Sequence, residues 1–182
     1  PLTNLKYAGI SDNLIPAYLR FVKGIVDTQD IDLNVSREML QNNPAVAKIS
    51  KSLVGKILRE LKKIADKDKA KYTQFWNEFG QVLKEGLYED LERKDTLLEL
   101  ARFSNNENDD LISLEDYVNA MDKNQKDIYY IAADTKSQAL SSPHLEGFKS
   151  KGIKVLVMAD PIDQFWLLSL IHISEPTRHC TI

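Results

Sequence analysis

Between Val46 and Ile64 the apolar residues Val46, Ile49, Leu53, Val54, Ile57, Leu58, Leu61 and Ile64 recur at steps of three and four. That period commits the stretch to one long helix with a single buried stripe, which must find partners on the same chain. Asn43-Pro44 marks its start, because proline at the first helical position loses no hydrogen bond. After a polar hinge, Lys67–Lys71, the spacing resumes with Tyr72, Phe75, Trp76, Phe79, Val82 and Leu83, and Gly86 is expected to end this second helix as its C′ residue. A third helix is expected across Leu91–Phe103, giving three antiparallel helices before a loop at Ser104–Asp110.

Beyond that loop the pattern changes. Ser113-Leu114-Glu115-Asp116 is a capping-box-like start for a helix through Met121. Ile128–Ala133 and Lys154–Ala159 are continuous apolar runs of strand length, and continuous rather than alternating apolar strands suit a parallel sheet covered on both faces. A helix from Ser142-Pro143 toward Gly152 lies between them, so the segment reads as a β-α-β unit. The fold class is therefore α/β with a helical insert, and the boundary between the two parts falls in Ser104–Leu111.

Charge and end segments narrow the function classes. The 182 residues carry 24 Lys and Arg against 27 Asp and Glu, a net charge of −3, which excludes a domain-wide basic footprint for nucleic acid. No apolar run reaches the ~20 residues of a membrane helix and the first residues lack a signal-peptide order, so a cytoplasmic location is expected. Leu168–Arg178 reads LSLIHISEPTR, one frame of a common transposase sequencing adapter, so Leu168–Ile182 is expected to be an artefact and the natural chain to continue differently after Leu167. Setting it aside removes Cys180, His172 and His179, leaving His144 alone. Thiol nucleophiles, Cys/His zinc sites and Ser-His-Asp catalysis with a supporting histidine lose their raw material, and no metal site is expected.

The most informative local feature is Asn34-Val-Ser-Arg37-Glu-Met-Leu-Gln41. Ser36 suits an N-cap, so a short helix should begin at Arg37. A cation in a first helical turn is electrostatically out of place unless an anion comes near. Gln41 lies one turn later on the same side and Asn34 on the approach, a fork of donors suited to a phosphate; the plainer alternative is that Arg37 pairs with a surface carboxylate. Lys48, Lys51, Lys56, Arg59, Lys62 and Lys63 fit a solvated helix face better than a polyanion strip. Tyr72, Phe75, Trp76 and Phe79 fit either a core stripe or an exposed aromatic patch for a protein partner. Asp134 and Asp160 follow the two strands, at the edge where open α/β sheets bind ligands, although turn or cap roles suit them better. His144, just after Pro143, receives no role.

The segments LIPAYLRFVKGIVD, LNVSREMLQ, KYTQFWNEFGQVLKEG, SLEDYV, IYYIAAD and SPHLEGFKSKGIKVLVMADPID, in this order, resemble the middle segment of the ninety-kilodalton heat-shock chaperones, most closely the bacterial form, across Asp12–Leu167. The resemblance implies a dimeric, ATP-dependent chaperone of the stress response whose N-terminal domain holds ATP with Mg2+. Its middle segment binds client proteins and its C-terminal domain dimerises. It further implies that Arg37 reaches the γ-phosphate, with Asn34 and Gln41 as supporting donors, and that Trp76 and Phe79 are candidates for client contact. Residues 1–43 become the end of a larger subdomain carrying the arginine loop, 44–104 a three-helix coil, and 111–167 a truncated small α/β subdomain. Asp32 stands where the family usually has proline, and Pro1–Ile10 does not look like the strand expected there. Without a nucleotide-binding domain the chain alone is expected to be inactive and to bind no cofactor. A nucleotide-independent helical interaction module is the alternative.

Overall fold

The computed structural model describes residues 14–24 and 44–167. The helix expected from Arg37, and Leu168–Ile182, lie outside the described residues. Helix α1, Pro44–Lys67, buries Val46, Val54, Leu58, Leu61 and Ala65, while the six basic residues at positions 48, 51, 56, 59, 62 and 63 all face solvent. The expected polar hinge narrows to one residue. Asp68 separates α1 from α2, Lys69–Glu89, and its side chain accepts from Lys71 N at 3.0 Å, so the break is also the cap of the next helix.

Helix α2 runs through Gly86 instead of stopping there, which corrects the C′ expectation. Gly86 is a close-approach glycine: a Cβ on it would lie 2.9 Å from both Leu97 Cδ1 and the Tyr18 ring. Tyr18 and Leu19 sit in a 3-10 turn, Ala17–Leu19, with no exposed surface, and Tyr18 Oη donates to Asp90 Oδ2 at 2.7 Å. Burial first, and that carboxylate second, push the Tyr18 hydroxyl's pKa far up. The third helix is shorter than expected. A 3-10 turn at Leu91–Arg93, capped by Asp90, leads into α3, Lys94–Leu100. Lys51 pairs with Glu92 and Lys62 with Glu99, so α1 and α3 run in the same direction and α2 returns between them.

Where a loop is expected at Ser104–Asp110, the chain forms strand β1, Ser104–Asn105. Strands β2, Tyr130–Ala132, and β3, Leu156–Met158, complete a sheet of order β1-β3-β2. Strands β2 and β3 are parallel, Ile131 facing Val157, while β1 joins β3 antiparallel with Ser104 opposite Val157. The edge strand escapes a hydrophobic reading because amides build it. Asn105, 2% exposed, accepts from Glu107 N and Asn108 N and donates to Asp110 O. Asn106 then extends the ladder with its side chain, accepting from Val155 N at 2.8 Å.

Helix α4, Leu114–Asn119, is capped by Ser113, whose Oγ accepts from Asp116 N at 3.0 Å. The crossover between β2 and β3 contains two short helices rather than one, α5, Lys136–Leu140, and α6, Glu146–Ser150, joined by a 3-10 turn at Pro143–Leu145. Leu156 and Met158 join the core shared with the three helices, whereas Val155 and Val157 join Ile131, Ala139 and Leu145 under α5 and α6. Burial of β3 on both faces is why its sequence is apolar without alternation.

Candidate functional site

Helix α2 carries two features that the rest of the chain positions, an aromatic strip and a buried ionic joint. The strip follows from the three- and four-residue spacing, but rotation about the helix separates its members. Trp76 is 7% exposed and belongs to the core. Its indole lies against the helix over Gly80, where a Cβ would come within 2.7 Å of the ring. Tyr72 is buried beside it, donates to Leu100 O at 2.8 Å and carries the Arg102 guanidinium 4.8 Å over its ring. Burial holds the Tyr72 hydroxyl's pKa far above its usual value. Phe79, in contrast, is 38% exposed and stacks with Phe21 and Phe75 at centroid distances of 5.1 and 5.7 Å. Of the two residues proposed for partner contact, Phe79 is presented and Trp76 is not.

One turn further along α2, Lys84 points inward and is only 4% exposed. Its ammonium lies 2.7 Å from Asp160 Oδ2, 2.9 Å from Asp163 Oδ1 and 5.0 Å from the centre of the Phe103 ring. Asp160 also accepts from Gln81 Nε2 at 2.8 Å, and the fully buried Asp163 accepts from Trp166 Nε1 at 2.8 Å. The two carboxylates are local products of Asp160-Pro161-Ile162-Asp163. Asp163 N donates to the backbone Asp160 O at 2.8 Å, closing a turn, and Asp163 Oδ2 accepts from Asp160 N at 3.1 Å, so the second carboxylate reaches back to the start of the turn. The joint thus ties the helical part to the exit of β3. Asp160 is committed to this joint and does not face an open sheet edge, while Asp134 stands exposed elsewhere.

The opposite end of the sheet is organised by Tyr117. Its hydroxyl donates to Lys154 O at 2.6 Å and accepts from Gln125 Nε2 and Tyr129 N, each at 3.0 Å, so one buried side chain registers the starts of both parallel strands. Burial is the main cause of its raised pKa. Among the described residues no group of His, Cys, Asp and Glu could hold a metal ion, and no helix is long and apolar enough to cross a membrane. Asn34, Arg37 and Gln41 lie outside the described residues. Sequence reasoning missed Lys84; the available signal was a lysine in the apolar register of α2, four residues after Gly80.

Comparison with known proteins agrees with this architecture. The family model described as Hsp90 protein matches residues 9–176. The chain is 52% identical over 169 residues to the chaperone protein HtpG of Roseobacter denitrificans, covering 91% of this chain and 27% of that protein. It is likewise 52% identical to HtpG of Paramagnetospirillum magneticum, covering 90% and 26%. The chain therefore spans about a quarter of the length of these relatives. Among solved structures, the middle domain of a Plasmodium falciparum heat shock protein superposes with a TM-score of 0.72 at 34% identity, covering 86% of this chain and 59% of that one. With nearly its whole length matched by the family model and its fold matched by a middle domain, the chain belongs to the Hsp90 family as a middle-domain segment.

Proposed function

We propose that this chain is the part of an ATP-dependent chaperone that binds and remodels client proteins, and that Arg37 completes an ATP site held by a neighbouring N-terminal domain. The observation that carries the reading is the motif Asn34–Gln41 within a chain of this family: a guanidinium flanked by two carboxamides, after a serine suited to cap a helix. Such a donor set fits a phosphate, since guanidinium hydrogen bonds are directional, charge-assisted and matched to its oxygens. Mg2+ bound with the nucleotide in the other domain would supply charge neutralisation there. Arg37 would stabilise negative charge on the transferred phosphoryl group, as an arginine supplied by one module to another's site does, while Asn34 and Gln41 orient it. Because the arginine finds its partner only when the modules dock, the same contact would link nucleotide state to domain arrangement. The parent would act as a cytoplasmic homodimer joined by its C-terminal domain, and the isolated chain would hydrolyse nothing. The domain limits 1–43, 44–104 and 111–167 are part of this reading, with 168–182 set aside.

Client contact would fall to the half-exposed strip of Phe21, Phe75 and Phe79 rather than to Trp76. The test uses the full-length parent. Arg37→Ala should lower ATPase turnover by about 10²–10³-fold, the usual loss of a transition-state donor, while Phe79→Ser should weaken capture of an unfolded client and leave turnover alone. Turnover within a factor of two in Arg37→Ala would sink the catalytic role. The same result together with lost client capture in Phe79→Ser would establish a nucleotide-independent helical interaction module instead.

A further inference from the structure

Two kinds of contact hold α2 against β3 and the chain that leaves it, and they differ in direction. Leu83 and Leu87 of α2 share one apolar core with Leu156 and Met158 of β3 and with Trp166. Apolar burial is non-directional, and the face of a helix offers similar grooves one turn apart, ~5.4 Å along its axis. The Lys84 joint is directional. Its ammonium meets Asp160 at 2.7 Å and Asp163 at 2.9 Å, with Lys84 only 4% exposed and Asp163 fully buried. A slip of α2 by one turn toward either end would bring Gly80 and Gln81, or Leu87 and Tyr88, to the place of Lys84. None of the four carries a charge, so a slipped packing would leave both carboxylates beside a neutral face and their cation elsewhere in the core.

A buried ionic group adds little net stability over an apolar replacement, whereas a broken one is costly. Its effect therefore falls on which packing the chain adopts, as a single buried polar residue fixes the register of paired helices. We infer that Lys84, Asp160 and Asp163 form an orientation key: the group selects one register of α2 against the exit of β3 and excludes the neighbouring ones. Three further contacts set the carboxylates for a single cation position. Trp166 Nε1 donates to Asp163 Oδ1 at 2.8 Å, Asp160 N to Asp163 Oδ2 at 3.1 Å, and Gln81 Nε2, from α2 itself, to Asp160 Oδ1 at 2.8 Å. Because α2 also carries Phe75 and Phe79, the key fixes where the aromatic strip stands relative to the sheet. The inference stands on this geometry and needs neither nucleotide nor client.

The test is a distance measurement between spin labels at Arg59→Cys on α1 and Lys149→Cys on α6, both exposed positions, in the full-length parent with its other cysteines replaced by serine. The parent should give one narrow distance. Lys84→Met with Asp160→Asn and Asp163→Asn should melt close to the parent and add a second population displaced by up to about 5 Å, one turn of helix. Should that variant fail to fold, Lys84→Met with Asp163→Asn, which leaves the partly exposed Asp160 charged, is read in the same way. Val54→Ala opens a cavity on α1 and lowers stability with all three ionic partners in place, so it should keep the single distance. One parental distance in the neutralised variant would overturn the assignment, because the apolar core alone would then set the register. A second population in Val54→Ala would overturn it as well, since the broadening would follow lost stability and not lost direction.

Discussion

Replacing Lys84 by methionine tests the joint between α2 and the exit of β3. The substitution keeps most of the aliphatic volume against Phe103, so the loss is mainly electrostatic. Asp163, fully buried, would keep the donors Trp166 Nε1 and Asp160 N but lose its counter-charge at 2.9 Å, and Asp160 would keep only Gln81 beyond its own turn. Removing one member of a buried ionic group costs about 3–5 kcal/mol, because the remaining charge stays in a poorly solvating site. For a domain of this size that corresponds to a fall in melting temperature of roughly 6–20 °C. Circular dichroism melts and guanidinium titrations at neutral pH would read it. The companion variant, Lys84→Met with Asp160→Asn and Asp163→Asn, removes the charges together and should recover most of the loss, since a whole ionic group can be replaced at little cost where a broken one cannot. If Lys84→Met alone lost less than about 1 kcal/mol, the range of an exposed pair, or if the neutralised variant were no more stable than the single one, the joint would be packing and not charge.

Two further outcomes follow from local geometry. Ser113→Ala should cost about 1 kcal/mol at pH 7 by removing the α4 cap. The Ser113 hydroxyl, which donates to Asp116 Oδ2 at 2.8 Å, is also the chief cause holding the Asp116 carboxyl below its ordinary 3.8. A depressed folded-state value adds stability that is present above the ordinary pKa and lost as pH falls through the lower folded one. The gap between parent and variant should therefore narrow, without closing, in urea titrations from pH 7 to pH 3, and a constant or widening gap would refute the pairing. Gly86→Ala should destabilise by about 1 kcal/mol, since crowding of about 1–3 kcal/mol exceeds the helix-propensity gain of about 1 kcal/mol. Tyr18, pinned by Asp90, cannot retreat from a Cβ 2.9 Å away. A rise in the denaturation midpoint would show that Gly86 marks no close approach.

What could be read from the sequence was whatever repeats or caps locally. The stripe from Val46 to Ile64, the Ser113 cap and the two continuous apolar runs each depend on residues a few positions apart, and each corresponds to an element of the fold. The strand at Ser104–Asn105 was not legible because its ladder is completed by asparagine side chains that look like a loop in composition. Gly86 was misread because helix ends and close approaches select the same residue, and only the side chains of Tyr18 and Leu97, brought in from other elements, distinguish them. The ionic joint shows the limit most clearly. Asp160-Pro161-Ile162-Asp163 announces a turn on its own, but such a turn on the surface has no need of a buried cation. Lys84 reads as an interruption of an apolar face until the chain brings it back to those carboxylates 76 and 79 residues later. A lysine inside an apolar stripe is therefore a signal that a distant acidic motif will return to it.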